Sequence, residues 1–293
     1  MVGALNKAAA EAEFAQRRSD ELKDAMAKIG VGQRVVDGDP RPFCWHCQQP
    51  IEGDVKTLKN GYGETRTMHP ACWVEVKDLR AQQQERDRAA AIELELQRVE
   101  SWFSGCARRG DTHWRANAPR WGWARFDNAD YCGRVSPKLL RAFESYDGTE
   151  SLVASAKTGG GKTSLAVAWL WRLRERAEQA VRDGKKPHKP DFMFVSGPEL
   201  AGARRRWELG SESKLVETAC EVGLLILDEI GFEPPGEEIF FVADARYRIG
   251  APTIVTTGLP IESRDPNAPS FVKRYGAALL RRFLEPGQLV EVE

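Results

Sequence analysis

The stretch SLVASAKTGGGKT, residues 151–163, decides the fold. Its first six residues form a short apolar run that predicts a strand, and a helix-favouring segment follows Thr163. The glycines between them let backbone N–H groups wrap around an anion without a Cβ in the way. The helix that follows turns its N-terminus toward the same anion. The stretch therefore predicts a phosphate loop between a strand and a helix.

The loop proper, residues 156–163, follows the pattern G-x-x-x-x-G-K-[ST] with Ala156 in place of the first glycine. Lys162 can reach the β- and γ-phosphates of a nucleotide, and the hydroxyl of Thr163 can hold Mg²⁺. We therefore expect ATP and Mg²⁺ as ligands. The residues predicted to bind the nucleotide here are Ala156, Lys157, Thr158, Gly159, Gly160, Gly161, Lys162 and Thr163.

A second apolar run, LLILDE at residues 224–229, ends in two acids. Asp228, at the tip of the predicted strand, can hold Mg²⁺ through its water shell. Glu229 can orient or deprotonate the water that attacks the phosphate. A pair of carboxylates favours hydrolysis over simple nucleotide binding, so the sequence predicts an Mg²⁺-dependent ATPase with Glu229 as a catalytic residue.

Apolar runs alternate with helical segments from Lys138 to the end of the chain. This alternation predicts crossover units and a parallel sheet, and strands that are apolar on both faces predict helices on both sides of it. The fold class is therefore α/β. The predicted strands are 151–156, 192–196, 223–227, 253–257 and 289–292, and the predicted helices are 139–146, 163–180, one that ends at 207, and 239–249.

Four metal-ligand residues stand near the N-terminus in two pairs, Cys44-x₂-Cys47 and His69-x₂-Cys72, separated by 21 residues. Two such pairs with a hairpin-sized spacer are typical of a closed structural zinc site, because a tetrahedral ion needs four soft or borderline donors. The alternative is a loop with reduced cysteines. The thiolates exclude a hard cation, whereas the choice between zinc and iron stays open.

Composition gives a broad frame for these sites. The chain has 293 residues, 43 basic and 43 acidic side chains, and no long apolar run, so we expect about two domains, no membrane span and a cytoplasmic location. We predict four segments: an N-terminal helix and linker at 1–39, a zinc module at 40–74, a connecting helix and linker at 75–130, and an ATPase domain at 131–293.

The connecting helix carries one narrow apolar stripe, formed by Ile92, Leu96, Val99 and Phe103. The spacing predicts a helix that packs on one side against the rest of the chain. A helix that binds a partner or self-associates is the alternative.

From Phe126 to Val292 the chain resembles AAA+ ATPases of the bacterial helicase-loader type (DnaC and DnaI) and the related IstB-type transposition helpers. The matching segments are ARFDNADY at 124–131, the loop at 156–163, the acids at 224–229, ARYR at 245–248, PTIVTT at 252–257 and YGAALLRRFL at 275–284. The likeness covers over half the chain.

The resemblance implies roles for three further positions. Arg282 matches the arginine finger that reaches the nucleotide of a neighbouring subunit. The position that senses the γ-phosphate, usually Asn, is Gly258 here, so either the hydroxyl of Thr257 or Thr256 takes its place or sensing is weak. Arg246 matches an arginine near the subunit interface. A finger acting on a neighbour implies an ATP-dependent homo-oligomer or docking onto a related ring.

The order of parts implies a loader of a replicative helicase onto single-stranded DNA, because DnaI-type loaders also carry an N-terminal zinc module that grips the helicase. The alternatives are a helper that binds duplex DNA and recruits a transposase, and an adaptor that binds ATP without hydrolysis. The sharpest basic and aromatic cluster, residues 204–207, is a candidate contact for single-stranded DNA or a solvated helix face.

Overall fold

The structure is a computed structural model. It describes residues 44–49, 51–54, 56–59, 65–109, 120–205, 213–233, 237–265, 267–285 and 287–292. The chain divides into two compact units after Glu85. The predicted N-terminal helix at 1–39 lies outside the described residues, as do the side chains of the cluster at 204–207.

The first unit contains a small antiparallel hairpin formed by β1 (Lys56–Lys59) and β2 (Thr65–Met68). A long helix, α1 (Pro70–Ala107), begins in this unit directly after the hairpin. Among the described residues of this unit, Cys44, Ile51, Met68 and Val76 form a small buried cluster.

The second unit is built on a five-stranded sheet with the order β4-β5-β6-β3-β7, in which all neighbours are parallel. The strands are β3 (Ser151–Ala156), β4 (Phe192–Ser196), β5 (Leu224–Ile230), β6 (Thr253–Thr257) and β7 (Gly287–Val292). The helices are α2 (Ala129–Cys132), α3 (Pro137–Ser145), α4 (Lys162–Arg182), α5 (Gly197–Arg205), α6 (Lys214–Glu221), α7 (Glu238–Ile249), α8 (Phe271–Tyr275) and α9 (Ala277–Leu284).

Helices cover both faces of this sheet, because successive strand side chains point to opposite faces. Leu152 and Phe194 lie in a buried cluster with side chains of α3 and α4. Their neighbours Val153 and Val195 lie in a second cluster with side chains of α5, α6, α7, α8 and α9. The predicted α/β class, with a parallel sheet covered by helices on both faces, is therefore confirmed.

Most elements agree with the prediction, and the differences are small. β5 runs three residues further than predicted and therefore contains both acids, and β7 begins two residues earlier. The sequence did not predict α2, α6, α8 or α9. These four helices have eight or fewer residues each, so they show too few repeats of the helical period to stand out.

The apolar stripe of α1 packs on one side, as predicted. Val99 is fully buried against Ala177 and Val181 of α4, with Ile92 and Leu96 at the edge of the contact. Phe103 lies in the larger cluster beneath the sheet. Within the described residues, no helix combines the length and the apolar character that crossing a membrane requires.

Candidate functional site

The phosphate loop joins β3 to α4 and takes a conformation that only glycine adopts easily. Gly159 and Gly161 both have φ of +87°, in the left-handed region where a Cβ is strained. Gly161 also lies against Val135, because a Cβ added at Gly161 would stand 2.6 Å from Cγ1 of Val135. These two glycines allow the loop to curve around the space at the N-terminus of α4.

The departure at Ala156 has a simple steric explanation. Ala156 is the last residue of β3 and is buried. Its methyl group faces Gly160, where an added Cβ would stand 3.1 Å from the Cβ of Ala156. The loop therefore accommodates alanine because its partner across the turn has no side chain.

Lys162 points its ammonium group into the loop. Its Nζ donates hydrogen bonds to the carbonyl oxygens of Ala156 at 2.6 Å and of Lys157 at 3.0 Å. Burial lowers the pKa of Lys162, and the nearby carboxylates of Asp228 and Glu229 oppose this shift. A buried cation next to a glycine-rich loop is suited to phosphate oxygens, which would replace the two carbonyls as acceptors.

The predicted Mg²⁺ ligands lie in direct contact. The hydroxyl of Thr163, at the start of α4, donates to the carboxylate of Asp228 at 2.9 Å from Oδ2 and 3.1 Å from Oδ1. Asp228 is fully buried at the carboxyl end of β5. Glu229 follows it with an exposed side chain. One hydroxyl and one carboxylate thus meet beside the loop, which is an arrangement that fits Mg²⁺.

The two threonines at the end of β6 have different surroundings. Thr256 donates its hydroxyl to Asp228 Oδ1 and accepts a hydrogen bond from the backbone N–H of Glu229 at 3.0 Å. Thr257 is buried, and its hydroxyl donates to the carbonyl of Ile230 at 2.8 Å and accepts from the N–H of Leu259 at 3.1 Å. This geometry favours Thr256 over Thr257 as the hydroxyl beside the nucleotide.

Gly258 lies close to an exposed ring at the mouth of the site. A Cβ added at Gly258 would stand 3.2 Å from Cζ of Phe232, and 4.0 Å from the hydroxyl of Thr158 in the loop. Phe232 is 63% exposed. A side chain at 258 would therefore require this exposed ring to shift slightly.

A second wall of the site was not predicted. Tyr131 of α2 is buried and its hydroxyl donates to Ser164 Oγ at 3.1 Å, directly after the loop. Trp123 packs edge-on against Tyr131 and remains partly exposed. The sequence analysis included Tyr131 only in the segment that resembles the loader family, because no local pattern there indicates a contact with the phosphate loop.

The nearby aromatic residues pack the linker against the rest of the second unit. Trp121 and Phe126 lie against the cluster beneath the sheet. The guanidinium of Arg125 lies 4.2 Å from the ring centre of Trp171 and pairs with Glu175. Trp114 and Arg115, from the same stretch, lie outside the described residues.

Arg282, the predicted arginine finger, is paired within its own chain. Its Nε donates to Asp244 Oδ1 of α7 at 2.8 Å, and its guanidinium stacks on the ring of Phe240 at 4.6 Å. The adjacent Arg281 is more exposed and makes only a 3.9 Å contact with Glu285. To reach another subunit, Arg282 would have to leave Asp244.

Arg246, which the resemblance puts near a subunit interface, is buried inside its own chain. It is 1% exposed, and its guanidinium donates to the hydroxyl of Thr253 and to the carbonyls of Ala219, Val222 and Pro252. Burial lowers the pKa of Arg246 to about 10. Its role is to satisfy backbone carbonyls where α6, α7 and β6 meet.

The four predicted metal ligands come together in the first unit. One ligand atom from each of Cys44, Cys47, His69 and Cys72 lies within 4.8 Å of the other three. The Nδ1 atom of His69 is 3.3 Å from Sγ of Cys47 and 4.0 Å from Sγ of Cys72. Within the described residues this is the one group of three or more such side chains that could hold a metal ion.

The chemistry of this donor set fits zinc. Burial raises the pKa of the Cys44 thiol, but backbone hydrogen bonds from Cys47, His69 and His46 outweigh burial and bring it to about 6. Burial together with the two neighbouring sulfurs raises the pKa of Cys72 to about 12. Thiolates at this spacing repel one another, and a divalent ion between them removes that repulsion.

Solved structures similar to this chain include three bacterial replication proteins. A crystal structure of the DnaC helicase loader has 19% sequence identity and a TM-score of 0.42, and the match covers 59% of this chain and 99% of that one. DnaI has 17% identity and a TM-score of 0.38, with 54% and 84% covered. Domain III of the replication initiation protein DnaA from Thermotoga maritima has 15% identity and a TM-score of 0.36, with 58% and 67% covered.

These names agree with the resemblance noted in the sequence. No family profile matches the chain, and no curated protein matches its sequence.

Proposed function

We propose that this protein is an Mg²⁺-dependent ATPase that hydrolyses ATP to ADP and phosphate. The observation that carries the proposal is the contact between Thr163 and Asp228, with Glu229 next in sequence, beside a phosphate loop. The hydroxyl of Thr163 and the carboxylate of Asp228 already lie in contact, so these two side chains would need little rearrangement to bind Mg²⁺.

Each residue has a separate task in this proposal. The loop N–H groups and Lys162 bind the phosphates, and Thr163 and Asp228 hold Mg²⁺, which neutralises charge on the β- and γ-phosphates when bound. Glu229 orients the attacking water and accepts its proton. Thr256 holds Asp228 in place through its hydroxyl. Arg282 stabilises charge on the phosphate of a neighbouring subunit after it leaves Asp244.

We further propose that the ATPase loads a replicative DNA helicase onto single-stranded DNA, and that the zinc module binds the helicase. The sequence resemblance and the order of the parts support this proposal. ATP-dependent self-association, or docking onto the helicase ring, would supply the neighbouring nucleotide for Arg282.

The ATPase proposal is tested by phosphate release from the full chain in Mg²⁺ and ATP. We expect Glu229→Gln to lower kcat by about 10²-fold or more while it keeps ATP binding, because the side chain acts only on the attacking water. The matched control is Glu262→Gln, since Glu262 is also exposed but lies outside the site. Equal turnover in parent and Glu229→Gln, or none in the parent, contradicts the proposal.

The loader proposal is tested with the purified replicative helicase of the host and circular single-stranded DNA. We expect helicase to remain on the circles after gel filtration only when the full chain and ATP are both present. We also expect the zinc-site variant His69→Ala to abolish helicase binding and to keep ATP binding. A chain that ignores helicase and instead coats duplex DNA in ATP favours the transposition helper.

A further inference from the structure

Glu233 is a buried carboxylate just beyond the catalytic strand, and none of the roles above involves it. It is 4% exposed. Its Oε2 accepts a hydrogen bond from the N–H of Gly231 at 2.8 Å, and its Oε1 accepts one from the hydroxyl of Tyr275. The guanidinium of Arg274 lies 3.8 Å from the same carboxylate and also donates to the carbonyl oxygen of Glu233.

The backbone at Glu229 needs outside support. Its φ is +54°, a left-handed conformation that is strained for a residue with a side chain. Such strain persists only where the surroundings hold the chain, and it concentrates at functional sites. On the β6 side, Thr256 accepts from the N–H of Glu229 and Thr257 donates to the carbonyl of Ile230.

The Glu233 carboxylate holds the same turn from the other side. Oε2 of Glu233 accepts a hydrogen bond from the N–H of Gly231, the residue that ends the turn, and so holds Gly231 at its φ of +110°. The carboxylate also packs against the first residue of α5, because a Cβ added at Gly197 would stand 2.6 Å from Oε2 of Glu233 and 3.2 Å from Cα of Ile230. The turn is thus clamped between β6 and the anchor at Glu233.

We propose that Glu233 is a positioning residue for hydrolysis, which holds the backbone turn that aims Glu229 at the attacking water. The inference rests on the proposed ATPase function. Arg274 and Tyr275 lie on α8, which continues through Gly276 into α9, the helix that carries Arg282. Through its contacts with Arg274 and Tyr275, Glu233 therefore connects the turn at Glu229 to α8 and α9, the second of which carries the proposed arginine finger.

Steady-state kinetics of Glu233→Ala in the full chain test this role. We expect kcat to fall by about 10²-fold, because a catalytic group displaced by about 1 Å loses that much. The KM for ATP and the Kd measured with a fluorescent ATP analogue should stay within about twofold, since no phosphate ligand changes. Glu233→Gln should recover most of the rate, because its amide can still accept from Gly231 and donate to the oxygen of Tyr275.

Gly197→Ala gives an independent variant that keeps the Glu233 side chain but crowds its carboxylate. Alanine is otherwise favourable in a helix, so its effect comes from the new methyl group, which would stand 2.6 Å from Oε2 of Glu233 and 3.2 Å from Cα of Ile230. We expect the same loss of kcat without a change in KM, and no further loss in the double variant with Glu233→Ala. Glu237→Ala is the control, because that carboxylate is exposed and forms none of these contacts.

The outcomes separate this inference from the function on which it rests. A parent chain that hydrolyses ATP together with an equally active Glu233→Ala variant overturns the inference and leaves the ATPase intact. A fall in ATP affinity and thermal stability that parallels the fall in kcat also overturns it, because the role is then only structural. A parent that binds ATP but releases no phosphate overturns the proposed function, and the positioning role falls with it.

Discussion

The nucleotide site and the Cys/His cluster rest on very different amounts of buried structure. The nucleotide site lies at the carboxyl ends of β3, β5 and β6, between two large clusters of buried side chains. In the described part of the first unit, the Cys/His cluster packs on four buried residues, of which one, Cys44, is itself a candidate ligand.

This difference in buried structure implies that the two ligands have different roles in folding. In the second unit the apolar core fixes the sheet, and the sheet then places the loop and the acids, so the ligand is not required for folding. Among the described residues of the first unit the buried cluster is small, so we expect a metal ion to supply much of the folding free energy there.

Removal of the metal should have the largest effect, and only in the first unit. Structural zinc contributes about 10–16 kcal/mol in small modules. We therefore expect a strong chelator to expose the amides of β1, β2 and the start of α1 to hydrogen exchange, while the amides of β3 and α4 stay protected.

Single variants separate the metal from other effects of the chelator. His69→Ala should have the same effect without chelator. His46→Ala is the matched control, since His46 contacts Glu75 at 3.3 Å and is not in the cluster. A first unit that keeps its protection without metal would remove the contrast between the two regions.

Loss of a ligand contact in the nucleotide site should affect binding but not folding. Lys162→Ala should weaken ATP binding by about 10²-fold, because charge-assisted hydrogen bonds to two phosphates are lost. The nucleotide-free chain should be no less stable than the parent, because burial of this ammonium is costly. Isothermal calorimetry and urea unfolding measure the two effects, with Lys185→Ala as an exposed control.

The two neighbouring threonines should divide function from stability. Thr256→Val removes the hydrogen bond to Asp228 and the acceptor of the Glu229 N–H, and we expect kcat to fall by about tenfold. Thr257→Val leaves the carbonyl of Ile230 and the N–H of Leu259 without their partner, and we expect a loss of about 1–3 kcal/mol of stability instead. Phosphate release measures kcat and urea unfolding measures stability for both variants. The reverse pattern would indicate that Thr257, and not Thr256, is the hydroxyl beside the nucleotide.

The smallest expected effect concerns pH. The hydrogen bond from Arg282 is the main cause that holds the pKa of Asp244 below its ordinary value, with help from Arg248. Because the folded pKa is lower than the unfolded one, this ion pair stabilises the chain above the ordinary Asp pKa and is lost as pH falls through the folded pKa.

A comparison of melting temperatures measures this contribution. Arg282→Gln should melt slightly below the parent at pH 7, and the difference should shrink toward pH 3. Arg281→Gln is the control, because its contact with Glu285 is long and exposed. A difference that is constant with pH would mean that Arg282 stabilises the chain by stacking on Phe240.

Much of the fold and of the candidate site was predictable because local chemistry repeats a strict pattern there. The loop needs left-handed glycines at Gly159 and Gly161, and a strand buried on both faces has to read as an apolar run. The pairs of metal ligands could be recognised for a similar reason, since each pair has a fixed short spacing.

Other features depend on contacts that are distant in sequence. Arg246 looks like a surface arginine by its neighbours, but it caps carbonyls that belong to α6 and to the start of β6. Thr256 and Thr257 cannot be told apart by composition, and the alternation of β6 alone turns the first hydroxyl toward Asp228. Glu233 acquires its role only because Tyr275 and Gly197 fold against it.

The sequence by itself determined the phosphate loop, the paired acids, the parallel sheet and the metal-ligand set, because backbone sterics, burial and ligand chemistry act over a few adjacent residues. The tertiary structure decided which threonine faces Asp228, that Arg282 pairs with Asp244, and that Arg246 is buried. Hydrogen bonds and ion pairs between distant segments form only after the apolar core has brought those segments together, so no local pattern records them.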